Sequence, residues 1–114
     1  MSGAQVAEDS AGAWHDLCAE GEIEPGAAKG FEVADRRLCA IFDGAAYFVL
    51  DDLCNHGQAF LSEGFCDTED CVIECPLHGG LFDYRDGSPQ GDPVEKPQRN
   101  YPVRLEGGRL LVQL

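Results

Sequence analysis

Apolar residues gather along this chain in short stretches, and polar turn residues separate one stretch from the next. The stretches at 30–33, 38–42, 46–50, 71–74, 81–84, 101–105 and 109–114 are rich in Val, Ile, Leu, Phe or Tyr, and most hold four to six residues. Between them stand Pro25-Gly26, Asp35-Arg36, Asp43-Gly44, Asp86-Gly87 and Gly107-Gly108, all turn formers. The pattern predicts an all-β chain of antiparallel hairpins. No window of about a dozen residues holds a helical period, although residues 14–20 could form one turn of helix or a strand edge.

The stretch 88–102 holds four of the six prolines, which cannot donate to a strand ladder. It reads as an ordered loop outside the ladders. Long structured loops in small domains usually carry function.

With 114 residues, the chain reads as one domain over 1–114, large enough to bury roughly two-thirds of its unfolded surface. A second, catalytic domain has no room. Hydrophobic residues make up 44% and charged residues 25%, the balance of a folded globular protein. Acidic residues outnumber basic ones 21 to 8, for a formal charge of -13. That excess argues against nucleic acid or an anionic membrane as partner and favours a basic protein, or else serves solubility alone. The first 13 residues lack the basic and apolar regions of a secretory signal, and no run of about 18 apolar residues occurs anywhere. A cytoplasmic protein is expected.

Six cysteines in a reducing compartment point to metal before disulfides. Two of them stand in Cys54-Asn55-His56-Gly57 and Cys75-Pro76-Leu77-His78-Gly79, with eighteen residues between the inner ligands. Each motif offers one soft thiolate and one imidazole, the mixed donor set of a Rieske-type 2Fe-2S centre. Both motifs lie just outside expected strands, so two hairpin loops can converge on one cluster. Glycines 57, 79 and 80 let backbone N–H groups come close to bridging sulfides. Replacing two thiolates by neutral imidazoles leaves the oxidised cluster formally uncharged instead of dianionic, so adding an electron costs less and the potential rises.

Two other readings of the donors stay open at this stage. A closed tetrahedral zinc site also takes two Cys and two His, though zinc fingers more commonly group each kind together. An all-thiolate cluster could draw on Cys54, Cys66, Cys71 and Cys75, but their spacings miss the plant-type pattern and leave both histidines unexplained. Cys18 and Cys39, inside apolar stretches, read as small hydrophobes, and Cys66 and Cys71 as free thiols or an incidental pair. His15 reads as a surface residue, so too few histidines remain for a mononuclear iron site of two His and one carboxylate. No glycine-rich nucleotide fingerprint is present.

From Trp14 onward the sequence resembles the Rieske-type ferredoxins of bacterial multicomponent ring-hydroxylating dioxygenases. The likeness runs through Ile23-Glu24-Pro25-Gly26, both ligand motifs, Leu61-Ser62-Glu63-Gly64, Phe82, Asp86-Gly87, Pro97 and Tyr101-Pro102-Val103-Arg104-Leu105-Glu106-Gly107. It implies the Rieske fold: an antiparallel β-sandwich base and a small cluster-binding subdomain, about residues 52–85, with a proline-containing loop at 91–97 packed over the cluster. Carried over by position, Cys54 and Cys75 bind the inner iron of one 2Fe-2S cluster and His56 and His78 the outer. The connection between the motifs, with Cys66 and Cys71, is somewhat longer than the family's.

The resemblance implies a non-enzymatic electron carrier between an NADH-dependent flavoprotein reductase and a terminal oxygenase. Such a shuttle is expected to be a monomer that meets both partners transiently. The competing reading is a Rieske-fold small subunit held permanently in an oxidoreductase such as assimilatory nitrite reductase. Respiratory relatives carry a disulfide where this chain has Ala59 and Leu77, and hydroxyl donors where it has Gly80 and Phe82. Without those donors, and with so acidic a chain, a midpoint near the low end of the Rieske range, about -150 mV, is expected. Asp51, Asp52, Asp83 and Asp92 are candidates for steering a basic partner to the cluster.

Overall fold

The computed structural model describes residues 12–55, 58–77, 79–91 and 94–114. The described residues form ten strands: β1 Trp14–Ala19, β2 Ala27–Val33, β3 Arg36–Phe42, β4 Tyr47–Asp51, β5 Cys66–Asp67, β6 Val72–Glu74, β7 Leu81–Asp83, β8 Asn100–Tyr101, β9 Val103–Glu106 and β10 Arg109–Gln113. They form three antiparallel sheets, ordered β2-β3-β4-β8, β9-β10-β1 and β5-β6-β7. A single 3-10 turn, Leu61–Glu63, is the only helical element among the described residues.

Strand β3 is the wall on which the molecule is built. Leu38 and Ala40 face one core, shared with Leu17, Cys18, Val49, Leu110 and Val112 of the flanking three-stranded sheet and β4. Cys39 and Ile41 face the opposite core, shared with Leu50, Leu61, Ile73, Phe82, Tyr84 and Val94. All four are fully buried. A strand covered on both faces needs an unbroken apolar run, and Leu38-Cys39-Ala40-Ile41 supplies it. Cys18 and Cys39 act as small core hydrophobes, as their sequence surroundings suggest.

Of the two readings of residues 14–20, strand holds, over Trp14–Ala19; a register shift opposite Leu110 and Leu111 passes over Leu17, so the neighbours Leu17 and Cys18 are both buried and alternation is lost. Two other expectations change. The expected strand 101–105 is broken at Pro102, which has no N–H. Tyr101 pairs with Val49 in one sheet, while Val103 pairs with Val112 in another. The proline-rich stretch accordingly ends in strand β8 and also bridges Phe82 through Pro89.

Candidate metal centre

Two loops built alike carry the cysteines. The first opens after β4, where Leu53 bridges Phe60, and the Cys54 N–H donates to the Ala59 carbonyl at 2.9 Å. The second joins β6 to β7, where Glu74 pairs with Leu81, and the Cys75 N–H donates to the Gly80 carbonyl at 2.8 Å. In each, a cysteine amide closes the loop five positions on. Cys54 and Cys75 are 2% and 1% exposed and belong to the same apolar core. His56 and His78 lie outside the described residues, as does Gly57.

Buried in one apolar patch, two thiolates would be poorly solvated without a cation to bind them. The donor chemistry therefore fits a metal centre whose sulfur ligands face inward. Phe82 carries no hydroxyl and Gly80 no side chain, so neither position supplies a hydroxyl to a cysteine sulfur.

Val94, 3% exposed, lies in the same core as both cysteines, and a Cβ on Gly80 would come 2.5 Å from its Cγ1. Only glycine lets the Cys75 loop pass this close under Val94.

Several positioning residues carry no local sequence signal. The buried Gln98 donates from Nε2 to the carbonyls of Asp51, at 2.8 Å, and Leu53, at 2.7 Å, and accepts the Asn55 N–H at 3.1 Å. Asn55 in turn donates from Nδ2 to the carbonyls of Lys96 and Pro97. Asp52 accepts from Arg37 Nε at 2.7 Å and from the Ser62 N–H and hydroxyl at 2.7 and 2.9 Å. Gly30 leaves room for this knot: a Cβ there would stand 2.9 Å from Ser62 Oγ and 3.0 Å from Asp52 Oδ2.

The acidic steering surface needs correction. Asp52 is fully buried and serves the Arg37 and Ser62 knot. Asp83 is mostly buried and paired with Arg85 at 2.7 Å; the Arg85 side chain, helped by the Arg85 N–H, holds its pKa below the usual carboxylate range against the upward pull of burial. Asp51 accepts the Tyr101 hydroxyl. Asp92 lies outside the described residues. What borders the Cys54 loop is instead a groove of about 870 Å³ lined by Arg36, Arg37 and Arg99 along with Leu53, Cys54 and Phe60.

Cys66 and Cys71 form no disulfide. Cys66 stands opposite Ile73 in the small sheet, and Cys71, in the tight turn before β6 at φ 58°, turns its thiol back to the Thr68 carbonyl at 3.8 Å. Burial pushes the Cys66 thiol up to about 11.

The sequence profile of the Rieske [2Fe-2S] domain matches residues 13–102. The chain belongs to this family. Membership brings one Rieske 2Fe-2S cluster and sets aside the zinc and all-thiolate readings. The chain is 43% identical to the anthranilate 1,2-dioxygenase ferredoxin subunit of Burkholderia cepacia, over 89% of this chain and 92% of that one. The ferredoxin of carbazole 1,9a-dioxygenase from Nocardioides aromaticivorans IC177 superposes with a TM-score of 0.84 at 33% identity, over 88% and 96% of the two chains. A structure described as a complex of reduced oxygenase and oxidized ferredoxin in carbazole 1,9a-dioxygenase matches at a TM-score of 0.80 and 34% identity, over 88% and 92%. These Rieske relatives are ferredoxin components, and this chain is likewise an electron carrier and not a catalytic enzyme.

Proposed function

We propose that Cys54, His56, Cys75 and His78 hold the cluster, the cysteines on the inner iron and the histidines on the outer. We further propose that the chain passes single electrons from an NADH-dependent flavoprotein reductase to the terminal oxygenase of an aromatic-ring-hydroxylating dioxygenase. Residues 52–85 form the cluster-binding part of a single domain spanning 1–114, and the protein works as a soluble cytoplasmic monomer with transient partners. No helix among the described residues is long and apolar enough to cross a membrane.

The observation that carries this reading is the matched pair of loops, each closed by the amide of a buried cysteine and both abutting one apolar core. When bound, the cluster supplies one-electron chemistry at a potential raised by its two imidazole ligands. The chain's own residues do the rest: the core keeps water from the sulfur side, and Val94 and Gln98 fix the two loops relative to each other. The absence of a hydroxyl at Gly80 and Phe82 supports a midpoint near -150 mV, at the low end of the range.

Electron paramagnetic resonance of the dithionite-reduced protein tests the ligand set. A mixed-ligand cluster gives a lower average g value than an all-thiolate one, and Cys54→Ser, Cys75→Ser, His56→Ala and His78→Ala should each abolish that signal. A colourless protein, or a clearly positive midpoint in a redox titration, contradicts the reading.

A further inference from the structure

We propose that the groove beside the first ligand loop seats a carboxylate of the terminal oxygenase between Arg36 and Arg99, with an apolar neighbour of that carboxylate resting on Leu53 and Phe60. The inference rests on the electron-carrier reading above and says how the partner is oriented.

Cations are scarce in this chain, 8 Lys and Arg against 21 acids, yet three arginines line this one groove. Arg37 is committed to the buried Asp52 and lies over the Phe60 ring at 4.2 Å. Arg36 and Arg99 pair with no carboxylate among the described residues. Both are gathered around Tyr101: Arg36 Nη1 donates to its hydroxyl at 3.2 Å, and the guanidinium carbons of Arg36 and Arg99 stand 5.9 and 5.2 Å from its ring centre. Glu32 and Asp51 also line the groove; Asp51 accepts the Tyr101 hydroxyl, and neither carboxylate forms an ion pair with Arg36 or Arg99 among the described residues. Tyr101 thus holds two guanidinium forks open for a planar anion, which arginine binds in bidentate fashion.

The apolar half of the groove is as conspicuous. Leu53, 53% exposed, stands next to the buried Cys54 and with Phe60 gives the groove an apolar surface beside its arginines. A carboxylate with an apolar neighbour matches both halves.

The two scales of charge are compatible. The acidic excess elsewhere attracts a basic partner surface from a distance. Within that surface, a carboxylate meeting Arg36 and Arg99 fixes the rotation of the complex, because local complementarity sets register more than overall attraction does. The groove adjoins Cys54 and Asn55, so the register fixed there governs how closely the cluster faces the partner's centre.

Turnover of the anthranilate 1,2-dioxygenase oxygenase component of Burkholderia cepacia, with this chain as the varied electron donor, provides the test. Arg99→Glu and Arg36→Gln should each raise KM for the donor at least about fivefold and leave kcat within about twofold. Arg99→Lys, which keeps the charge, should recover most of the loss. Arg109→Glu makes the same charge change in a different sheet, where Arg109 pairs with Asp16, and should stay within about twofold of the unaltered chain. Paramagnetic resonance should match in all four. An unchanged KM in Arg99→Glu and Arg36→Gln overturns the proposal, and so does an equal rise in Arg109→Glu, which would make the effect one of net charge. Failure of the carrier reading looks different: the unaltered chain itself would lack the mixed-ligand signal.

Discussion

The Gln98 side-chain oxygen accepts the backbone N–H of Asn55 at 3.1 Å, across 43 positions of sequence. Through this bond and the two that Gln98 Nε2 donates to the Asp51 and Leu53 carbonyls, the proline-containing stretch holds both sides of Cys54. One buried carboxamide therefore satisfies three backbone groups that strand β4 leaves behind as it ends.

Gln98→Ala removes all three bonds at once and leaves partly buried polar groups without partners. A loss of about 2 kcal/mol in stability is expected, at the scale of leaving such groups unpaired. Urea denaturation measures it, and the visible absorbance of the cluster should bleach faster in the variant than in the unaltered protein. Equal bleaching rates would show that Gln98 does not hold the ligand loop.

Gly80→Ala should cost about 1 to 3 kcal/mol, because the new methyl would stand 2.5 Å from Val94 Cγ1 in a packed core. Val94→Ala opens a small cavity at the same point. The double variant should be more stable than the sum of the two single losses by about 1 kcal/mol, a coupling expected only of residues in contact. Thermal melts of the four proteins complete the cycle, and strict additivity would contradict the contact.

Much of this architecture could be read from the chain because its signals are local. The ligand motifs keep thiolate and imidazole within a few residues of each other, and the apolar run 38–41 announces a strand buried on both faces. Strand β1 was ambiguous because its irregular register buries two neighbours, and β5, only two residues long, has no periodicity to detect. The remainder depends on contacts between distant residues. Asp52, read as a surface acid, is buried because Arg37 and Ser62 reach it from 15 positions before and 10 after. Nothing near Gln98 in sequence says that it meets Asn55. The arginine groove is likewise assembled from three separate stretches of chain.

Arg37→Leu should destabilise the fold by about 3 kcal/mol, since it strands the fully buried Asp52 carboxylate with only the Ser62 donors. Adding Asp52→Asn removes the uncompensated charge while keeping the shape, and should recover about 1 kcal/mol of that loss. Chemical denaturation of the single and double variants reads both values. If Asp52→Asn made the Arg37→Leu protein less stable still, the buried charge would not be the source of the cost.

Alkaline pH should weaken the protein through its thiols and phenols. Burial, with Asp67 and Asp43 adding to it, pushes Cys66 up to about 11, whereas an unfolded thiol titrates near ~8.5. Between those values the unfolded chain releases a proton that the folded chain keeps, so the unfolded state gains as pH rises. Stability is intact below about pH 8.5 and is lost progressively toward pH 11. Tyr84 steepens the high end: its hydroxyl is buried without a hydrogen-bond partner among the described residues, and burial followed by the neighbouring Cys71 thiol drives its pKa well upward. Urea midpoints taken from pH 7 to 11 and followed by circular dichroism should therefore fall, and Cys66→Ala should flatten the first part of the fall. A midpoint that holds level from pH 8.5 to 11 would mean that Cys66 is no more protected from ionisation in the folded protein than in the unfolded one.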